Sequence, residues 1–247
     1  MSGMIPDIHL YCDGYCAVCP YRLRCSVYEQ QLEVFPTPAS RDMANPEFWA
    51  RYHEYLGSAA LLMVIAGKHQ NLDVDAMLAE VDGLADPASH ELALAAGAYS
   101  RALPPVWQAI EELLPAKEVE WTRLQSLGED STDALADGKQ IKEAIEVLRQ
   151  FQNFLQPKLS RALAMLEQSG EEDALLNGTV KSALVVMEKC LAGWSVLWRF
   201  FPELHDVIIE RIAMLTGLRS RSQELFPKAQ AFIRPGFDSS FQLEEDI

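Results

Sequence analysis

Four cysteines fall within fourteen residues of each other, in the run Cys12-Asp-Gly-Tyr-Cys16-Ala-Val-Cys19-Pro-Tyr-Arg-Leu-Arg-Cys25. Thiolates are soft, strongly donating ligands that suit iron–sulfur clusters and zinc. Four of them from one short loop can close a tetrahedral donor set with no distant ligand. Random spacing rarely gives such density, so a mere group of buried free thiols is the weaker reading. The spacing C-x3-C-x2-C-x5-C predicts a metal centre on Cys12, Cys16, Cys19 and Cys25, whose sulfurs should converge.

A [4Fe–4S] cluster is favoured over zinc. Zinc at ~2.3 Å from each thiolate holds the four sulfurs within ~3.8 Å of one another. Structural zinc sites reach this with two tight cysteine pairs and a longer excursion between them. Here no long excursion occurs. A cubane is larger, and a short loop can wrap its corners. Proline directly after a ligand is also a feature of ferredoxin-type cluster runs, and Cys19-Pro20 has it.

The segment Cys16-Ala-Val-Cys19-Pro-Tyr-Arg-Leu-Arg-Cys25 resembles the cysteine staple of RecB-like nucleases that carry a [4Fe–4S] cluster. The likeness covers about ten residues. It implies the cluster and no nuclease chemistry, because no Glu-x-Lys metal motif follows a strand. Cys12-x3-Cys16-x2-Cys19 also matches the spacing of radical S-adenosylmethionine enzymes. This chain departs from that pattern in having Val18 where an aromatic is usual, Cys25 to fill the fourth position, and no βα repeats.

Near the loop, Tyr11, Tyr15, Tyr21 and Tyr28 can shield a cluster or simply pack the segment. Arg22 and Arg24 can offset cluster charge or face solvent. The fifth cysteine, Cys190, sits on a packing stripe between Met187 and Trp194 and reads as a small core residue, remote from the other four. His53, His69, His90 and His205 are scattered, and none forms a Glu-x-x-His pair of the di-iron type. His9 precedes Cys12 by three positions but is not needed with four thiols at hand. No phosphate-binding glycine loop, dinucleotide fingerprint or nucleophile elbow occurs. Asn177-Gly178-Thr179 reads as a turn or helix start. Whether the chain is an enzyme does not follow from these residues, and no substrate is indicated.

Charge narrows the partners. Lys and Arg total 21 against 36 Asp and Glu, a net of −15 over 247 residues. Nucleic-acid binders need a basic face to neutralise phosphates, so no nucleic-acid partner is expected. An anionic membrane surface is disfavoured on the same ground. No apolar run approaches the ~20 residues of a membrane span, and no secretory leader is recognisable. The reading is cytoplasmic, where cysteines stay reduced, with a protein partner.

The elements that must carry the loop read as helices throughout. Pro46 with Asn45 as its cap opens a helix over 47–67. Shorter helices are expected at 73–83, 88–102, 104–114 and 116–127, and the polar stretch 128–138 reads as a linker. Ile141, Ile145, Leu148, Gln152, Leu155, Leu159, Ala162 and Leu166 form one stripe, with Phe151 and Phe154 beside it; Pro157 within it predicts a kink. Val180, Leu184, Met187, Leu191, Trp194, Trp198 and Phe201 form a second, and Pro202 opens a last helix. Such stripes face partner helices in a bundle. The fold expected is all-α, a helical bundle over 46–235 with an N-terminal cysteine-rich metal-binding loop at 1–35 and a flexible acidic tail at 236–247. The function expected is redox: electron transfer or sensing for a protein partner. An adaptor whose zinc or cluster is purely structural is the alternative.

Overall fold

The structure is a computed structural model and describes residues 3–37, 39–41, 45–69, 87–126, 134–170 and 173–238. Among the described residues every regular element is a helix, so the fold is all-α. None of these helices is long and apolar enough to cross a membrane. The chain divides into two compact units: Met1–His9 with Gly14–Asp86, and Leu10–Asp13 with Pro87–Ile247.

The first unit holds helices α1 (Ser26–Val34) and α2 (Pro46–His69). Asn45 caps α2 as expected: its side-chain oxygen accepts from the Glu47 amide at 3.0 Å, and Pro46 takes the position whose amide needs no partner. The segment before it is pinned by a reciprocal turn. Ser40 donates its amide to the Thr37 hydroxyl at 3.0 Å and receives the Thr37 amide at 3.1 Å. Phe35 is buried and stacks on Phe48, 5.1 Å between ring centres. The helix expected at 73–83 lies outside the described residues.

The second unit is the bundle. It comprises α3 (Glu91–Arg101), α4 (Pro104–Ser126), α5 (Ala134–Phe151), α6 (Leu155–Ser169), α7 (Ala174–Phe200) and α8 (His205–Leu225). Helix α7 packs on α5, α6 and α8; α3 packs on α6 and α8, and α4 on α5. The two stripes meet here. Ile141, Leu148, Phe151, Leu155, Leu159 and Ala162 are buried, as are Val180, Leu184, Met187, Trp194 and Phe201. Asp173 caps α7, its carboxylate accepting from the Leu176 amide at 2.8 Å.

Several expectations change. The helices expected at 104–114 and 116–127 are one, α4, with Pro115 inside it. Pro115 and Glu111 are both exposed, so the carbonyl that proline leaves unbonded can turn to water. At Pro157 the chain breaks instead of kinking. Helix α5 ends at Phe151 and α6 starts at Leu155, which puts Pro157 in the first turn of α6, where amides have no helical partner to lose. The break keeps the stripe in phase. Of the linker expected at 128–138, residues 134–138 form the start of α5; the rest lies outside the described residues. Trp198 is 43% exposed and stacks on His205 at 4.4 Å. Gly236 is buried, and the chain is described as far as Asp238, so the start of the expected flexible tail is packed; 239–247 lie outside the described residues.

Candidate metal centre

Cys12 belongs to the bundle unit. Its neighbours are fastened to α7. The Ser182 hydroxyl donates to the Tyr11 carbonyl at 2.7 Å, and Lys189 pairs with the Asp13 carboxylate. The Tyr11 ring lies on Gly178 and faces Phe232 at 5.8 Å. Only glycine at 178 leaves the room: a Cβ there would stand 2.3 Å from Tyr11 Cδ1. Cys12, half-buried, is thus held between two anchored residues.

One cation lies by Cys12. Lys158 of α6 lies within electrostatic reach of Cys12, Asp13 and Arg161. Burial, aided by Arg161, lowers the Lys158 pKa from its ordinary value, while Cys12 and Asp13 act to raise it. Its ammonium lies 5.4 Å from the centre of the Phe154 ring.

Cys16, Cys19 and Cys25 belong to the first unit and are also half-buried. Gly14 takes φ +75°, a left-handed conformation natural to glycine, and turns the chain ahead of Cys16. Successive three-residue turns follow. The Cys19 amide donates to the Cys16 carbonyl at 3.3 Å, Arg22 to Cys19 at 3.4 Å and Cys25 to Arg22 at 3.3 Å. Cys25 then caps α1 through its carbonyl, which accepts from the Glu29 amide at 3.1 Å, while its thiol makes no capping bond. Arg22 and Arg24 spend donors on the Ala17 and Gly3 carbonyls, at 2.7 and 2.9 Å.

The donor chemistry fits a thiolate-ligated metal, and none of the four cysteines is in a disulfide. Among the described residues no three Cys, His, Asp or Glu side chains are gathered to hold an ion. Backbone turns fix where the loop runs, but nothing except ligation itself pulls thiols together.

Cys190 is fully buried, as are Met187 and Trp194. Burial pushes its thiol up to about 12. The Tyr99 hydroxyl donates toward its sulfur and accepts from Trp194 Nε1 at 2.9 Å. Burial, with Cys190 adding to it, holds the Tyr99 phenol far above its ordinary range. Trp194 stacks on Trp107 at 5.6 Å. This is core chemistry, and the thiol is a poor candidate ligand.

Tyr11 packs the segment on the bundle, one of the two roles expected of it, whereas its partners Gly178, Ser182 and Lys189 escaped sequence reasoning. One signal was present: an isolated glycine inside a strongly helical run often marks a close approach, and Gly178, expected in a turn or helix start, lies in the first turns of α7. The chain matches no known family model, no curated protein and no solved structure.

Proposed function

We propose that this all-α protein binds a [4Fe–4S] cluster through Cys12, Cys16, Cys19 and Cys25 and serves a protein partner in electron transfer or redox sensing. The observation that carries the reading is four half-buried cysteines within fourteen residues, none in a disulfide, while the fifth cysteine is fully buried in the core. Bound there, the cluster would supply one-electron chemistry. Four thiolates leave no iron open to a substrate, which favours passing electrons over activating a molecule. The chain's own contribution is to fix Cys12 against α7 through its two neighbours and to keep all four cysteines half-buried.

Zinc at the same thiolates, in an adaptor with a purely structural site, is the competing outcome. Anaerobic preparation followed by iron, sulfide and zinc analysis decides between them. A brown protein with iron and acid-labile sulfide in equal amounts, whose visible absorption bleaches on reduction, supports the cluster. A colourless protein with one zinc overturns it. A chain that binds neither overturns the metal centre altogether.

A further inference from the structure

The surface beside Cys12 carries charge opposite to that of the chain as a whole. Lys189 pairs with Asp13, and its ammonium lies 5.6 Å from the centre of the Phe151 ring. Phe151 meets Phe154 edge-on at 5.7 Å, and Lys158 lies over Phe154. Arg161, one turn beyond Lys158 on α6, is exposed. Lys158 therefore lies in electrostatic reach of Cys12 and of Arg161, and Lys189 is paired with Asp13 next to Cys12, in a chain with 36 acidic and 21 basic residues.

Screening makes this local balance matter. In physiological salt, exposed charges beyond about 8–10 Å of an approaching ion are largely damped. On the bundle unit, a molecule near Cys12 is therefore within range of Lys158 and its neighbour Arg161. The two ring faces hold the ammonium groups in place and offer half-buried apolar area at Phe154. An acidic partner is repelled elsewhere and attracted here, which selects one docking orientation.

We propose that Lys158, Arg161 and Lys189, with Phe154 beneath them, form the docking surface for an acidic one-electron carrier that exchanges electrons beside Cys12. The proposal rests on the iron–sulfur reading and names the partner's chemistry. In the exchange one electron leaves the reduced centre and enters the oxidised carrier; no bond breaks and no proton moves.

Hexacyanoferrate(III) and hexaammineruthenium(III), oxidants of opposite charge, serve as probes in stopped-flow oxidation of the reduced protein. The hexacyanoferrate rate should fall as salt is added, and K158E/R161E should lower it about tenfold at low salt while favouring the ruthenium complex. A hexacyanoferrate rate that rises with salt in the unmodified protein, as the net charge alone dictates, overturns the proposal. So does a rate the double variant leaves unchanged. If K158E disturbs the half-buried site, R161E alone carries the test.

A second readout needs no cluster. In the metal-free chain, alkylation at Cys12 is resolved by mass spectrometry for anionic iodoacetate and neutral iodoacetamide. The ratio of their rates should exceed that of a cysteine in a short peptide and fall in R161E. A colourless protein sinks the iron–sulfur reading while this ratio still reports the patch. A coloured protein whose ratio ignores R161E sinks the docking surface alone.

Discussion

The Tyr11 ring occupies the volume a side chain at Gly178 would need, with Cδ1 only 2.3 Å from where a Cβ would stand. Gly178→Ala must push the ring off α7 or distort the helix. Overpacking of this kind costs about 1–3 kcal/mol. Urea unfolding should show that loss, and Cys12 should alkylate faster because its neighbour has lost its seat. Tyr11→Ala should speed Cys12 alkylation in the same way without straining the helix. Unchanged Cys12 reactivity in both variants would show that the ring does not hold the segment.

Replacing one ligand tests what the metal holds together. Cys16→Ser should lower metal content while leaving the helical circular dichroism signal unchanged, because the stripes over 141–166 and 180–201 bury their own apolar faces. Trypsin should then cut faster after Arg22, which is exposed, and Arg24, which is half-buried. Loss of helicity in Cys16→Ser would make the loop part of the folding core.

Cys190 should be silent toward disulfide reagents in the folded protein at pH 8 and react at once in urea. Its thiol is pushed up to about 12 by burial, while in the unfolded chain it ionises near ~8.5. The folded state therefore favours the protonated form. That preference costs nothing below the ordinary thiol range, and stability falls as pH rises from there toward about 12. Tyr99→Phe, which strands the Trp194 indole N–H, should cost about 1–2 kcal/mol.

Asp238 clamps the segment that follows α8. Its carboxylate accepts from the Arg234 amide and Nε, both at 2.9 Å, and from Nη2 at 2.8 Å. These bonds hold the Asp238 pKa below the ordinary carboxylate value. The stabilisation is complete at neutral pH and is lost as pH falls through that depressed value. Asp238→Asn should cost about 1–2 kcal/mol at pH 7, since it leaves the Arg234 guanidinium, 9% exposed, without its counter-charge. The difference from the parent should vanish in strong acid; a difference independent of pH would assign it to packing.

The helices were legible because their apolar spacing is local. Leu148, Leu155 and Leu159 on one stripe, and Leu184, Met187 and Trp194 on the other, face the core as their intervals require. Pro157 was misjudged because the cost of a proline depends on where in a helix it falls, and a helix can restart around it. Trp198 departs from its stripe because periodicity does not fix how wide a buried face is: Leu197 and Phe201 on either side are fully buried, while the indole lies at the edge and settles on His205. At the loop, the thiol chemistry is written in the residue types. The anchoring of Cys12 is not, because Tyr11 and Asp13 find their partners 171 and 176 residues away in sequence.

That separation bears on the timing of assembly. At about 5–20 residues per second of synthesis, Tyr11 leaves the ribosome on the order of 10–30 s before Ser182 is made. Closing so long a loop is entropically slow to repay, so helix pairing in the bundle should precede it and create the groove at Gly178. The newborn N-terminus therefore spends its first seconds with its thiols unsheltered. Any factor that loads or protects those cysteines would find them most accessible then, before Tyr11 closes over α7.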